Sequence, residues 1–246
     1  IQFEGFLGPA YDQITNQAAR ISNRTRGQLT CPLVLRVPVG GGIHAPEHHS
    51  DSPEAIYTHT PGLKIVMPSS PYDAKGLLKT AIQDNNPVFF LESERLLSTT
   101  CHVPEEEYTI PFGKALIRRQ GTDCTIIGFG RPLHFCLEAA EELTGEGISC
   151  EVIDGRTIRP LDIDTMVASV KQTSACVVVD QSWSFASVGS EIASQIHANC
   201  FEDLDNHVHR VHSDDVPTPY AYNLEQAYLP NSRKICEAVR SATYNA

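Results

Sequence analysis

Positive charge is scarce in this sequence: 19 Lys and Arg stand against 30 Asp and Glu, a formal net charge of −11 with histidine neutral. Recognition of a phosphate backbone needs clustered Lys and Arg, so nucleic acid is not expected as a partner. The carboxylates are spread along the chain, which favours solubility rather than marking a site. No apolar run approaches the roughly 20 residues that span a bilayer, and no secretory leader is visible, so no membrane partner is expected. No CxxC occurs among the eight cysteines, Cys31, Cys101, Cys124, Cys136, Cys150, Cys176, Cys200 and Cys236. Several lie inside apolar runs such as "DCTIIGF" and "ACVVVD". Buried, reduced thiols are the expectation, and with them an intracellular, reducing compartment. An initiating methionine is also missing: the chain opens "IQFEGF", which suggests a removed presequence or a piece of a longer chain.

The 246 residues, 41% of them hydrophobic, suffice for one large domain or two small ones. Residues 8–27 have the periodicity of a helix, with Tyr11, Ile14, Ala18 and Ile21 on one face. "PLVLRVP", "LKIVMP" and "PVFFLE" predict short strands, the first nearly all apolar, as in a sheet covered on both faces. Ser70 as cap and Pro71 at the first position start a helix that runs to about residue 84. Asp51, Pro53 and Glu54 predict a capping box at an earlier helix start. The polar stretch 93–111, with its acidic run Glu105-Glu106-Glu107, has the character of a linker. Alternation then resumes with strands at "KALIRR", "CTIIGF", "SCEVID", "ACVVVD" and "HRVHS". Helices are expected between them and over the closing segment "NSRKICEAVRSATY". Strands alternating with helices of this length predict an α/β fold with two domains and mainly parallel sheets. The first domain has only about three predicted strands, fewer than an open parallel sheet usually holds, so it is expected to be truncated at its start.

Two stretches invite chemistry. "GGGIHAPEHHSDSPEA" sets three glycines and then His44, Glu47, His48 and His49 after a strand. His44 and His48 have metal-ligand spacing on a helix, but Pro46 and the glycines oppose a helix and no third ligand is evident. A phosphate cradle would need a helix directly after the glycines, and no GKS or GxGxxG pattern occurs. A proton-moving histidine at the carboxyl end of a parallel strand remains, since α/β proteins place chemistry there. Spacing alone does not choose among the three. "GFGRP" at 128–132 reads as a turn. "AIQDNNPVFF" reads as a helix end with turn residues, or as a hard-cation site of carbonyl and carboxylate oxygens.

Over essentially its whole length the chain resembles the β subunit of the decarboxylating component of 2-oxo-acid dehydrogenases. The resemblance is carried by "HHS" and "PEA", "PGLKIVMPSSPYDAKGLL", "RTIRPLD" and "DVPTPYAYNLEQAYLPN". It implies a transketolase-type fold: a partial pyrimidine-binding domain over 1–95, a linker over 96–111 and a transketolase C-terminal-like domain over 112–246. It implies an oxidoreductase that decarboxylates a 2-oxo acid, pyruvate first, and passes the acyl group to lipoamide. Branched-chain 2-oxo-acid and acetoin dehydrogenases are the alternatives, as is a non-catalytic assembly fragment. The implied cofactor is thiamine diphosphate, with magnesium held mainly by an α chain, and potassium as a further ion. The implied partners are that α subunit, two α with two β, and a dihydrolipoyl acyltransferase core, in a mitochondrial matrix or bacterial cytoplasm.

Residue by residue, the resemblance matches Phe6 to the aromatic group on the aminopyrimidine and His49 to the active-site histidine that faces the lipoyl group. Leu33, Ala81, Ile82, Asp84 and Asn86 match positions around potassium, an ion implied to steady loops near the cofactor. Asp205 matches a position that meets the acyltransferase core. His44 and His48 match no functional position. The glutamate that contacts the aminopyrimidine in the family has no counterpart among these residues, so this stretch alone is expected to be inactive.

Overall fold

Two sheets organise the chain, and the computed structural model describes residues 1–244 of it. The opening segment is helical but not one helix. A 3-10 stretch, Glu4–Ala10, is followed by a π-helical turn, Gln13–Ala18, and a single α turn, α1 (Ile21–Arg24). Pro9 sits within the first piece and cannot donate to a helix ladder. In the second, Ala19 N–H reaches back five residues to Ile14 O at 3.0 Å, and Thr15 Oγ1 donates to Tyr11 O at 2.8 Å. The wider turn rotates the buried face to Ile14, Thr15 and Ala19 and leaves Tyr11 exposed, unlike the regular face expected from the sequence.

β1 (Val34–Val39) follows, then α2 (Glu54–Thr58), β2 (Lys64–Val66), α3 (Pro71–Gln83) and β3 (Val88–Ser93). α3 begins as its sequence directs: Ser70 accepts the Asp73 N–H at 3.1 Å and Pro71 occupies the first turn. The capping box at α2 does not form. Pro53 stands at the cap with no side-chain bond, and the Asp51 carboxylate accepts instead from Thr218 Oγ1 at 2.7 Å.

The second half runs β4 (Leu116–Arg119), β5 (Cys124–Gly128), α4 (Pro132–Thr144), β6 (Cys150–Asp154) and β7 (Thr157–Arg159). It continues through α5 (Ile163–Thr173), β8 (Cys176–Trp183), α6 (Val188–Cys200), β9 (His209–Ser213), α7 (Tyr222–Tyr228) and α8 (Ser232–Ala242). One sheet has the order β4-β6-β5-β8-β9, parallel except at β4.

The other sheet has four strands in the order β1-β3-β2-β7. Its first three are parallel, while β7 reaches over from the second half and pairs antiparallel with β2. The first sheet thus gains a fourth strand that its own segment does not encode, and Met67 N–H extends the join to Arg156 O at 2.9 Å. A single apolar cluster crosses the same boundary, joining Val37, Ile65 and Phe89 to Ile127, Ile153 and Ile192, each fully buried. Burial of such side chains stabilises by about 1.5–3 kcal/mol each, so the two halves share a core.

Candidate active site

The loop between β1 and α2 leaves the carboxyl end of a parallel strand, where the pleated sheet opens a crevice for chemistry. Gly40 and Gly42 take φ values of 88° and 99°, which only glycine adopts without strain. A Cβ on Gly42 would also lie 1.7 Å from Arg131 Nη1. The backbone closes on itself through Gly40 N–H to Asp51 O at 2.8 Å. Within it, Glu47–His49 form one 3-10 turn, with His49 N–H on Pro46 O at 2.9 Å.

The structure brings Phe6 and His49 together. Their rings lie 5.4 Å apart at 86°, and Phe3 meets His49 edge-on at 4.6 Å. Leu7, fully buried, anchors the 3-10 stretch beneath, while its neighbour Phe6 stays 46% exposed. Close approach of the two segments depends on Gly5, since a Cβ there would meet His48 O at 2.4 Å. His49 Nδ1 is buried without a hydrogen-bond partner among the described residues. An exposed ring face beside a shielded, unpartnered imidazole nitrogen suits a flat heteroaromatic ligand with polar edges. His48 packs at 4.2 Å against His49 and 3.6 Å from Glu47, at the surface.

Acidic groups lie behind this loop. Burial and the neighbouring Asp51 push the Glu4 carboxyl up to about 7. Glu54 and Asp180 are both deeply buried, one from each half, and burial raises both, Glu54 well above the ordinary range. Asp180 accepts N–H groups of Ser182 and Gly189, both at 2.9 Å. Both oxygens of Glu54 lack a donor, so no side-chain donor offsets its burial, which together with the nearby Asp180 favours the protonated acid. The sequence reading missed Glu4 as a titrating group; its only signal was its place two residues before Phe6.

The five expected potassium residues gather at one corner, where α3 ends and where β1 and β3 begin. Leu33 O accepts the Val88 N–H at 2.8 Å, and Ala81 O accepts the Asp84 N–H at 3.3 Å. Ile82 points outward, 65% exposed. The Asp84 carboxylate is already engaged by Lys64 Nζ and by the Asn86 N–H at 2.9 Å. What remains for a cation is the second lone pair of each carbonyl, plus the carbonyls at the helix end. This corner lies at the opposite end of β1 from the histidine loop, roughly 20 Å away at about 3.3 Å per residue. Asp205 is exposed on the turn between α6 and β9, its N–H on Ser174 O at 2.9 Å and its carbonyl accepting from Tyr244 Oη at 2.6 Å.

His44, to which the sequence gave no role, is the loop's tie to the second half. Its Nδ1 lies 2.6 Å from Glu225 Oε2, and Glu225 Oε1 accepts the N–H groups of Gly42 at 2.7 Å and His44 at 3.4 Å. Arg131 Nη1 donates to Gly41 O at 2.6 Å. Among the described residues no group of three or more His, Cys, Asp or Glu is arranged to hold a metal, and no helix is long and apolar enough to cross a membrane.

Two family models divide the chain between them: the transketolase pyrimidine binding domain over 1–100 and the transketolase C-terminal domain over 113–235. A solved structure described as a split-gene transketolase, an inactive β4 tetramer, shares the fold with a TM-score of 0.80 at 21% identity, covering 99% of this chain and 75% of that one. The pyruvate dehydrogenase E1 component subunit beta of Bacillus subtilis is 45% identical over 241 residues, 98% of this chain and 74% of that one. The 2-oxoisovalerate dehydrogenase subunit beta of the same organism is 43% identical over 242 residues, 98% and 74%. The pyruvate dehydrogenase subunit beta of Rickettsia felis is 45% identical over 239 residues, 97% and 73%. A chain with transketolase-type domains and relatives of this closeness belongs to the family of 2-oxo-acid dehydrogenase β subunits.

Proposed function

We propose that the chain is the β subunit of a thiamine-diphosphate-dependent pyruvate dehydrogenase, with Phe6 as the cofactor-binding aromatic group and His49 as the catalytic histidine. The observation that carries this reading is the pairing of the exposed Phe6 ring with His49, 5.4 Å apart, where Nδ1 is buried and unpartnered. The two side chains come from segments more than forty positions apart and serve no evident packing need that would leave a large ring half exposed. When bound, thiamine diphosphate supplies the electron sink for decarboxylation.

The chain's own contribution follows from its residues. Phe6 offers a flat apolar face that would hold and orient an aminopyrimidine. The Phe3 and Phe6 rings around His49 limit water, so a proton at the imidazole moves to or from the reacting group rather than to solvent. The glycines hold the loop in the conformation that presents His49. Residues 1–95 form the pyrimidine-binding part, 96–111 the linker and 112–246 the C-terminal part. An α subunit, in a two-α two-β assembly, would cover the half-exposed Phe6 and hold the diphosphate through magnesium. Main-chain oxygens of Leu33, Ala81, Ile82, Asp84 and Asn86 would hold potassium at the far end of β1, where the ion steadies the sheet rather than the histidine. Exposed Asp205 meets the acyltransferase core. Eight free thiols suit a reducing compartment, the bacterial cytoplasm or mitochondrial matrix.

A branched-chain substrate is the second reading, favoured by the 43% identity to the 2-oxoisovalerate enzyme. Turnover of pyruvate and of 3-methyl-2-oxobutanoate by the whole β chain, assembled with its α partner, thiamine diphosphate and magnesium, separates the two. Pyruvate is expected to be the better substrate by at least about tenfold, the scale of discrimination that a few methyl groups provide. Preference for the branched acid reverses the substrate assignment, and no turnover of either by an assembled sample moves the reading to an acetoin dehydrogenase or a non-catalytic assembly fragment.

A further inference from the structure

We propose that Glu225 is a positioning residue for the catalytic loop, acting across the boundary between the two halves on the segment that carries His49. The inference rests on the reading of His49 given above. Glu225 is fully buried in α7, 183 residues from Gly42 in the chain. A buried carboxylate persists only where donors or charge surround it, and here the recorded partners are all in the loop: Oε1 accepts the N–H groups of Gly42 and His44, and Oε2, which has no hydrogen-bond donor, lies 2.6 Å from the His44 imidazole.

The loop needs such a tether. His44 adopts φ 58°, a left-handed conformation that a side-chain-bearing residue keeps only when its surroundings enforce it. Glu225 supplies that enforcement at both the backbone and the ring of His44. Tyr222, one turn earlier on α7, packs against the same ring at 4.8 Å. From His44 the chain reaches His49 in five residues that are themselves bonded: Ser50 Oγ donates to Ala45 O at 3.1 Å, and His49 N–H to Pro46 O at 2.9 Å. The path from Glu225 to the His49 ring is therefore short and has little slack. Charge-assisted bonds of this kind are the stronger ones, and a misplacement of about 1 Å at a reacting group costs on the order of a hundredfold in rate.

The test uses the whole β chain assembled with its α partner and cofactor. Two rates are read on each sample: lipoamide-linked turnover, in which His49 is proposed to act, and 2-oxo-acid-dependent dye reduction, which is expected to depend on it much less. Glu225→Ala is expected to lower the ratio of the first to the second by at least about tenfold, the scale of a misplaced catalytic group. Glu225→Gln, which keeps an oxygen for the Gly42 N–H, is expected to restore most of the ratio. A residue that only stabilises the fold would lower both rates together, so a parallel fall, or an unchanged ratio, overturns the proposal. If the alanine variant does not assemble, Glu225→Asp decides: one methylene shorter, it does not reach both Gly42 and His44, and a wild-type ratio overturns the proposal. His49→Ala run alongside separates the two claims. If it leaves the ratio unchanged, the reading of His49 fails; if it shifts the ratio and Glu225→Ala does not, only the role of Glu225 fails.

Discussion

Two buried acidic seams join the halves of this molecule, and they neutralise their charge in different ways. At one, Asp73 from α3 meets Arg156 at 2.8 Å and Arg118 at 3.6 Å. Beside it Asp154 accepts from Ser69 Oγ and from the Arg156 N–H at 3.1 Å, with Arg118 3.7 Å away. At the other, Glu54 faces Asp180 with no donor on either of its oxygens. The first seam has arginine partners, while at the second burial raises both acids with no cation recorded beside them among the described residues. A seam of ion pairs depends on every partner being present, whereas a seam of two acids depends chiefly on pH; the first seam is not free of pH either, since burial pushes Asp154 up to about 6.

Arg156→Ala breaks the comparison most severely. It leaves Asp73, 1% exposed, with the more distant Arg118 as its remaining cation and Ser70 Oγ as a donor at 2.5 Å. Removing one partner of a buried ion pair costs about 3–5 kcal/mol, and the remaining contacts place the loss toward the lower end. Urea unfolding of the whole chain should show that loss, and a change below about 1 kcal/mol would mean that Asp73 is neutralised some other way.

A smaller effect is expected at the second seam. Burial raises the Glu54 pKa well above its unfolded value, so the folded chain binds a proton that the unfolded chain has released. Stability is then fully present below an unfolded pKa of about 4.3 and declines as pH rises through the folded value. Asp180 opposite and Glu4 and Asp51 on the loop side, all raised by burial, add to this slope, whereas His212 near Asp180, which burial pushes down, opposes it. Glu54→Gln removes one titration and leaves the rest. Melting temperatures from pH 5 to pH 8 should therefore fall less in the variant than in the wild type, and equal slopes would show that Glu54 does not carry the raised titration.

The same contrast between local and distant causes explains what the sequence made legible. α3 could be read because its determinants, Ser70 and Pro71, are adjacent to it, and β9 because "HRVHS" alternates in burial as a strand does. β7 could not. It has three residues, is followed by Pro160, and is a strand only because β2 offers an edge more than ninety positions earlier. The capping box at Asp51 and Glu54 satisfied every local rule, yet both side chains turned to partners in the other half, Thr218 and Asp180. Regularity over 8–27 failed for a local reason, Pro9 and the back-bonded Thr15, which a periodicity count does not register. Of the candidate site, the residue types and the strand-end loop were visible, and Phe6 and His49 were chosen by resemblance. The pairing of Phe6 with His49, and the tie from His44 to Glu225, exist only once the chain is folded.

The most direct test of the account is His49→Ala in the whole β chain assembled with its α partner, thiamine diphosphate and magnesium, assayed with lipoyl acceptor and with dye. Loss of a positioned acid–base group lowers a rate by about a hundredfold or more. The account predicts a loss of that size with the lipoyl acceptor and a dye-linked rate reduced by much less. Unchanged lipoyl-linked turnover in an assembled complex would contradict it, and the pairing of Phe6 with His49 would then be packing alone.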